Sequence, residues 1–468
     1  MAEADSAPSP LRRIAANSAG QFGAQVVVRG ASLVAFLLIA NRVEAKTFGL
    51  YNYGLQMAAT WAVLTQLSLQ LPLMRAVSRA PERAPLLMAQ VLAIRLLAAA
   101  AVLVLAGAWG WCSFATGRER AIFWLLLGAA VTNALALTFE DALRAVERFA
   151  PVSWVATLSG LLVNGGMITG ALLGRPIAWA VGVQGVAALV VLVLLARAAG
   201  RALGCAPWRL HWDPAAAREL LALAIGLALV AQIAAVYGRV DLIVLRRVCG
   251  DGVVGQYAVP LRILDAALAA VVAVGGVLQP VLLRALAADA PRLTARTEAS
   301  VRVLLLASLP AALGVSWLAT AILAWFKPEY AAGGPALAVL VWLAPVTGVT
   351  FVLHSLLAAA GRAPRVGLCI GLGLATNWAL CWLLVPRHGL MGAAWAKLSA
   401  ELAIALASVW AVRPVVRLGW HRALGPPLLL TAASVATGAW AGPLAGLVVY
   451  GGLAAALGVF RGAAWRDA

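Results

Sequence analysis

Cysteine, histidine and acidic residues are all scarce in this chain of 468 residues. The five cysteines form no CxxC pair, and the four histidines do not lie beside them. This spacing is typical of neither a metal site nor a disulfide framework, so we expect no metal and no cofactor. Lys and Arg outnumber Asp and Glu by 36 to 18, which in a soluble protein would suggest binding to nucleic acid.

Long polar stretches are also missing, and this absence excludes the nucleic-acid interpretation. The chain is 63% hydrophobic, whereas soluble domains are roughly 45–50% apolar. A bilayer core needs about 20 apolar residues per crossing helix, and the sequence offers many such stretches. We therefore predict an all-α polytopic membrane protein whose first partner is the lipid bilayer. The excess of Arg is then explained by cytoplasmic loops, which collect cations.

The hydrophobic runs predict about 14 transmembrane helices, or about 12 if the short last two do not cross. Most Lys and Arg fall on one side if both termini are placed in the cytoplasm, and this bias sets the predicted orientation. The predicted spans are 14–41, 48–74, 85–112, 121–143, 151–173, 176–196, 219–245, 253–283, 303–326, 333–360, 366–386, 390–412, 424–441 and 443–460.

The two halves of the chain resemble each other weakly. The stretch NRVEAKTFGLYNYGLQ from Asn41 and the stretch RRVCGDGVVGQYAVPLR from Arg246 each end one helix with a cation and Val and start the next with Gly-x-Tyr. Similar stretches also begin at Pro72 and Pro280. Chance similarity is the alternative, but the common order favours two pseudo-symmetric six-helix bundles. The predicted organisation is a cytoplasmic tail (1–12), an N-terminal bundle (13–200), a cytoplasmic linker (201–218), a C-terminal bundle (219–412) and two additional helices with a short tail (413–468).

Polar residues at regular spacing mark the first predicted helix. Asn17, Gln21, Gln25 and Arg29 are four residues apart in series and form one slowly drifting stripe. A stripe that leads to a deep Arg is typical of the wall of an aqueous cavity, and helix–helix hydrogen bonding is the alternative. Arg95 lies deep within the third predicted helix.

Other charges lie deep in the predicted helices of the second half. Arg239 and Asp241 point to different sides of one helix, so each is expected to meet a partner elsewhere. Arg262 and Asp265 are three residues apart and could pair along one helix face. Lys397 and Glu401 are four apart and are expected to pair too. In the first half, Glu140, Asp141, Arg144, Glu147 and Arg148 crowd one helix end and are expected to be interfacial.

Four stretches in order make the chain resemble a known family. They are ANRVEAKTFGLYNYGLQ, GRVDLIVLRRVCGDGVVGQYAVPLRILDA, KPEYAAGGPALAVL from Lys327 and PRHGLMGAAWAKLSAEL from Pro386. Over roughly positions 12–412 the chain resembles the polysaccharide exporters of the O-antigen flippase type, within the multidrug/oligosaccharidyl-lipid/polysaccharide exporter superfamily. Lipid II flippases and multidrug extruders are more distant members with the same architecture.

The resemblance implies two bundles around a central cavity in the plasma (inner) membrane. It implies translocation of an undecaprenyl-diphosphate-linked oligosaccharide repeat unit by alternating access, for lipopolysaccharide or another surface polysaccharide, beside other polysaccharide assembly proteins. Related flippases use cavity arginines for phosphate, and the positions that match in kind are Arg29, Arg239, Arg262 and, more weakly, Arg95. Asn17, Gln21 and Gln25 could contact sugar hydroxyls. Asp241, Asp265 and Glu401 are candidates for coupling to H⁺ or Na⁺.

Four alternatives compete with this function. A lipid II flippase has the same chemistry with a different sugar, and a multidrug or cation antiporter has the same architecture. The first predicted helix carries no acidic cluster, which disfavours the drug extruder. A polysaccharide polymerase or ligase would need a large outer loop with catalytic residues, whereas the predicted outer loops are short. We therefore expect a protein that is not an enzyme. A non-transporting scaffold remains the last alternative.

Overall fold

The computed structural model describes residues 28, 30–32, 34–286 and 290–456, and no strand occurs within these residues. Helices follow one another almost without interruption, joined by short turns. The helices are α1 (Gly30–Arg42), α2 (Ala45–Gln66), α3 (Gln70–Arg79), α4 (Ala84–Ser113), α5 (Gly117–Ala145), α6 (Phe149–Leu172), α7 (Ile177–Leu203), α8 (Pro214–Tyr237), α9 (Val240–Cys249), α10 (Asp251–Leu286), α11 (Ala290–Ala324), α12 (Gly334–Leu340), α13 (Leu343–Ala359), α14 (Ala363–Val412), α15 (Trp420–Ala441) and α16 (Pro443–Ala456).

The helices have the length and the surface of membrane-spanning segments. The described residues contain nine helices that are long and apolar enough to cross a membrane. Large apolar side chains point outward from them, such as Val104 on α4 and Leu406 on α14, which are 70% and 72% exposed. In water so much exposed apolar surface would be costly, whereas in a bilayer it faces lipid. The predicted all-α polytopic membrane fold is confirmed. The number of crossings and the side of the termini stay predictions.

The chain folds into two compact units. The first unit contains Met1–Glu44 and Gly54–Ala228, and the second contains Ala45–Tyr53 and Leu229–Ala468. In the first unit, apolar side chains of α4, α5 and α7 pack into a core that includes Leu92, Phe139 and Leu195. In the second, α10, α11 and α13 build a larger core around residues such as Leu304 and Leu353. The predicted boundaries of the two bundles stay predictions.

Several predicted helices contain breaks. The span predicted at 48–74 is interrupted between α2 and α3, where Leu67 and Ser68 both have φ 50°. The span predicted at 219–245 is divided into α8 and α9 at Gly238 and Arg239. The span predicted at 333–360 is divided into α12 and α13. None of these breaks has a proline inside it, and only the α8–α9 break contains a glycine, Gly238, so the sequence carries little signal for the other two.

A bend at Gly389 divides the long helix α14, as the separate predicted spans 366–386 and 390–412 require. Gly389 has φ 51° and ψ −124°, a conformation that essentially only glycine adopts. We expect Gly389→Ala to lower the free energy of unfolding by about 1–3 kcal/mol. Thermal unfolding in detergent measures this change. Gly371→Ala is the matched control on the same helix, because a Cβ there meets no atom within 4 Å. Equal stability of the two variants would contradict the prediction.

Two glycines from the repeated stretches lie against each other in the second unit. A Cβ added at Gly49 would lie 1.9 Å from the carbonyl oxygen of Asp251, and one added at Gly255 would lie 2.1 Å from that of Ala45. Each glycine therefore packs on the backbone that starts the other's helix. Two segments related by a two-fold axis make reciprocal contacts of this kind.

Candidate functional site

The break between α8 and α9 opens the backbone in the middle of an apolar segment. Arg239 precedes α9 with φ −129° and ψ 0°, which is not helical. The carbonyl oxygen of Gly238 accepts hydrogen bonds from the Lys397 Nζ at 3.2 Å and from the Arg239 guanidinium at 3.2 Å. Carbonyls freed by a broken helix are tolerated at membrane depth where protein groups or water satisfy them, and transporters build their binding sites at such breaks.

Asp241 lies in the first turn of α9 and is completely buried. Its Oδ2 accepts a hydrogen bond from Lys397 Nζ of α14 at 2.8 Å and another from the Tyr257 hydroxyl of α10 at 3.0 Å. Its Oδ1 has no hydrogen-bond partner among the described residues. The carboxylate therefore ties three helices together and keeps one oxygen available. This confirms that Asp241 meets a partner on another helix.

Glu401 lies one turn after Lys397 on α14. Its Oε2 accepts a hydrogen bond from the Tyr237 hydroxyl at 2.8 Å, and its Oε1 accepts from Thr347 at 2.9 Å and from Thr350 at 3.3 Å. The expected pairing of Lys397 with Glu401 is therefore wrong, because the ion pair of Lys397 is made to Asp241. Three hydroxyl donors on two other helices hold the Glu401 carboxylate instead.

These groups form one network at the break, which we call the α8–α9 polar cluster. It contains two carboxylates and one ammonium, and the Arg239 guanidinium is hydrogen-bonded to its Gly238 carbonyl oxygen. Asn377 of α14 extends it by donating to the carbonyl oxygen of Tyr237 at 3.4 Å. The members of the cluster are Tyr237, Gly238, Asp241, Tyr257, Thr347, Thr350, Lys397 and Glu401.

The second unit contains three other charged candidates, Arg239, Arg262 and Asp265. Arg239 is half-buried at the break, and Arg262 is half-buried on α10. Asp265 is exposed on α10. The expected pairing between Arg262 and Asp265 stays a prediction, as do their binding and coupling roles.

Arg95 is buried in the first unit and is held by three neighbours. Its guanidinium donates to the Asp141 carboxylate at 2.8 Å, to the Thr138 hydroxyl at 3.2 Å and to the Gln66 carbonyl at 3.3 Å. Asp141 is 4% exposed and forms its ion pair inside the unit, and the expectation that it lies at the membrane interface stays a prediction. The opposite charge of Arg95 on the neighbouring helix compensates its burial. Arg95 therefore ties α4 to α5, and its role in binding cargo stays a prediction.

The first unit contains a cavity of about 490 Å³ between α2, α5, α6 and α7. A site of this volume is in the range of small-molecule pockets. Seven of its lining residues are alanines. Neither the Asn133 nor the Ser159 side chain has a hydrogen-bond partner among the described residues. Asn133 and Ser159 are not among the candidates predicted from the sequence, although Asn133 and Glu140 lie seven residues apart on one helix face. The polar lining residues are Gln66, Asn133, Glu140, Ser159 and Gln184.

The candidates of the first predicted helix, Asn17, Gln21, Gln25 and Arg29, lie outside the described residues. The neighbouring part of the chain packs on α6. There the Asn164 amide donates to the Val28 carbonyl oxygen at 3.1 Å. Among the described residues, no group of three or more His, Cys, Asp or Glu could hold a metal ion.

The fold and the polar cluster define the class as a polytopic helical membrane protein with ionisable groups at a broken helix. A model of the family described as polysaccharide biosynthesis protein matches residues 14–286, which is more than half of the chain. The chain therefore belongs to the polysaccharide biosynthesis protein family.

Solved structures of a flippase and of multidrug transporters have a similar fold. The chain aligns with the lipid II flippase MurJ in an inward closed conformation with a TM-score of 0.74 and 13% identity, covering 94% of this chain and 98% of that one. It aligns with an inward-facing multidrug resistance MATE family transporter with a TM-score of 0.64 and 13% identity, covering 82% and 94%. For a mutant of the Vibrio cholerae MATE transporter VcmN, the TM-score is 0.57 at 17% identity, with 84% and 94% covered. Comparison with curated proteins gives no significant match.

Proposed function

We propose that the protein is a flippase that moves an undecaprenyl-diphosphate-linked oligosaccharide repeat unit across the plasma (inner) membrane for surface polysaccharide biosynthesis. The observation that carries this proposal is the match of residues 14–286 to the polysaccharide biosynthesis protein family in a fold like that of a lipid II flippase. Alternating access moves the cargo, and other polysaccharide assembly proteins supply and use it. The protein is proposed to act as a transporter and not as an enzyme.

The cavity of the first unit suits the glycan part of this cargo. Sugar hydroxyls both donate and accept hydrogen bonds, and amide and hydroxyl side chains do the same. Asn133 and Ser159 present such groups with unused hydrogen-bonding capacity, and the alanine-rich wall leaves room for a ring. Many weak polar contacts of this kind tolerate different sugars better than a few charged ones.

The diphosphate part of the cargo needs cations within the membrane. Arginine offers a planar fork that makes charge-assisted hydrogen bonds to phosphate oxygens. Arg239 is suited to this role because it is half-buried at a break in a membrane helix. Arg262 is half-buried on α10, and Arg29 is proposed from its sequence position alone.

The α8–α9 polar cluster is proposed to couple transport to an ion gradient. Lys397 already places a positive charge beside Asp241. A sodium ion at that carboxylate would meet a like charge at short range, whereas a proton can neutralise Glu401 without displacing Lys397. We therefore favour H⁺ over Na⁺ and Glu401 over Asp241 as the group that accepts it.

We expect Glu401→Gln to remove the stimulation of transport by a proton gradient, because glutamine cannot gain or lose the proton. The rate under an imposed pH gradient should fall by about tenfold, within the usual range of coupling energies. Glu329→Gln, which removes a half-exposed carboxylate of the same unit, is the control. The assay measures transfer of the lipid-linked glycan between the two leaflets of proteoliposomes, with and without the gradient. A Glu401→Gln variant that responds to the gradient like the wild type would remove Glu401 from this role.

Lipid II transport is the second candidate function, and the fold similarity to MurJ over 94% of the chain favours it. Mass spectrometry of undecaprenyl-diphosphate lipids in cells that lack the gene separates the candidates. The proposal predicts accumulation of a surface-polysaccharide repeat unit with a normal lipid II pool. Accumulation of lipid II alone would favour the second candidate. Unchanged pools with unimpaired surface polysaccharide would overturn both.

A further inference from the structure

A small pocket lies at the end of the first unit where α1 ends and α6 turns into α7. It has a volume of about 190 Å³. Alternating crossings place the end of α1 and the α6–α7 turn on the same side of the membrane, which is the outer side in the predicted orientation. In that predicted orientation the pocket lies near the level of lipid headgroups. It belongs to the first unit, whereas the α8–α9 polar cluster belongs to the second.

Two arginines line this pocket. Arg42 ends α1 and Arg175 lies in the α6–α7 turn, and both are exposed. Neither forms an ion pair with a carboxylate among the described residues. Two cations that converge on one concave site repel each other unless an anion lies between them. An oxyanion with several acceptor oxygens, such as a phosphate, satisfies both guanidinium groups at once.

An aromatic side chain forms the neighbouring wall and is fixed in place. The Trp179 indole donates a hydrogen bond to the Gly166 carbonyl oxygen at 2.8 Å. A Cβ at Gly170 would lie 2.2 Å from the Trp179 ring, so glycine is what leaves room for the indole. The Arg175 guanidinium lies 5.7 Å from the centre of that ring, within cation–π range. This arrangement restrains Arg175 before a ligand arrives.

The rest of the lining is apolar. Ile39 and Val43 contribute from the end of α1, and Met167 and Ile177 contribute from α6 and α7. A free inorganic anion gains nothing from such walls, whereas a lipid gains from burying the first carbons of its chain against them. Charge at the centre and apolar walls together select an amphiphile with an anionic head.

We propose that this pocket binds the phosphate group of a membrane lipid, with Arg42 and Arg175 as its ligands. The phosphate can come from an anionic phospholipid or from a polyprenyl diphosphate. The second source rests on the proposed function, because it would make the pocket a resting place for the cargo's diphosphate on the outer side. The first source does not depend on the identity of the cargo.

Native mass spectrometry of the purified full-length protein tests the site. The probes are phosphatidylglycerol, undecaprenyl diphosphate and, as a lipid without phosphate, undecaprenol. We expect the R42Q/R175Q variant to bind phosphate-bearing lipids about tenfold or more weakly than the wild type, since each interfacial cation contributes to such binding. Binding of undecaprenol should be unchanged. If the double variant does not fold, the single variant R175Q is measured instead, and we expect a smaller loss of binding of the phosphate-bearing lipids.

Arg118→Gln is the matched control, because Arg118 is exposed on the same predicted side and does not line the pocket. If R42Q/R175Q loses binding of both phosphate-bearing lipids and R118Q does not, the pocket is a shared phosphate site. If R42Q/R175Q loses binding of only one of these lipids, that lipid is the source of the phosphate. Unchanged binding, or an equal loss in R118Q, overturns the site. If the wild type does not transport the oligosaccharide, the proposed function is overturned. A selective loss of phosphatidylglycerol binding in R42Q/R175Q would still support the site.

Discussion

Lys397→Met is expected to lower the free energy of unfolding by about 3–5 kcal/mol, because it leaves the Asp241 carboxylate buried without its counter-ion. Asp241 is fully buried, and the side chain of Lys397 is only 8% exposed, so water cannot replace the lost partner. The Tyr257 hydroxyl would remain as a donor, but a neutral hydrogen bond does not compensate a buried charge. Thermal unfolding of the purified protein in detergent measures the loss.

The double variant Asp241→Asn/Lys397→Met separates charge imbalance from lost packing. It removes both charges together, so we expect it to recover most of the stability that Lys397→Met loses. Lys46→Met makes the same chemical change at an exposed lysine of the same unit and should cost no more than about 0.5 kcal/mol. A Lys397→Met variant as stable as Lys46→Met would show that the ion pair does not hold the cluster together.

Gly49→Leu and Gly255→Leu are expected to have the second large effect. Even a Cβ at these positions would lie 1.9 Å and 2.1 Å from carbonyl oxygens of the facing helix start. Backbone atoms cannot move aside as a side chain can, so α2 and α10 must separate. Overpacking of this kind costs about 3 kcal/mol or more, and we expect little folded protein on size-exclusion chromatography.

Gly252→Leu is the control for both glycine substitutions. Gly252 lies in the first turn of α10, and a Cβ there meets no atom within 4 Å. This variant should yield folded protein in amounts close to the wild type. Folded Gly49→Leu or Gly255→Leu protein with wild-type stability would show that the close approach of the two helix starts is not required.

The sequence allowed prediction of the helices but not of all their breaks. Hydrophobic runs place most helix ends within a few residues of those observed, because Gly and Pro punctuate them. The bend at Gly389 follows from the local sequence for the same reason. The break at Gly238 and Arg239 is different, since it is held by a hydrogen bond from Lys397, which lies far along the chain. A local pattern does not contain that information.

The partners of the charged residues are harder to predict from the sequence than the helix ends. The rule that charges four residues apart pair on a helix led to the wrong partner for Lys397, because its ammonium lies 2.8 Å from the Asp241 carboxylate of α9, while hydroxyl groups hold Glu401. The partner of Asp141 was likewise not predicted, since Arg95 belongs to another helix. That Asp241 has a partner could still be predicted, because a charge inside an apolar helix needs a compensating group wherever that group lies along the chain.

Reconstitution of the purified protein with an undecaprenyl-diphosphate-linked oligosaccharide tests whether the protein is a flippase for this cargo. Lipid is loaded into one leaflet of proteoliposomes, and a membrane-impermeant glycosidase reports how much glycan has reached the other leaflet. We expect transfer that depends on the protein, increases under a proton gradient and loses that increase in Glu401→Gln. Glycan that stays in its original leaflet with folded wild-type protein and an imposed gradient would contradict the assignment as a flippase for this cargo.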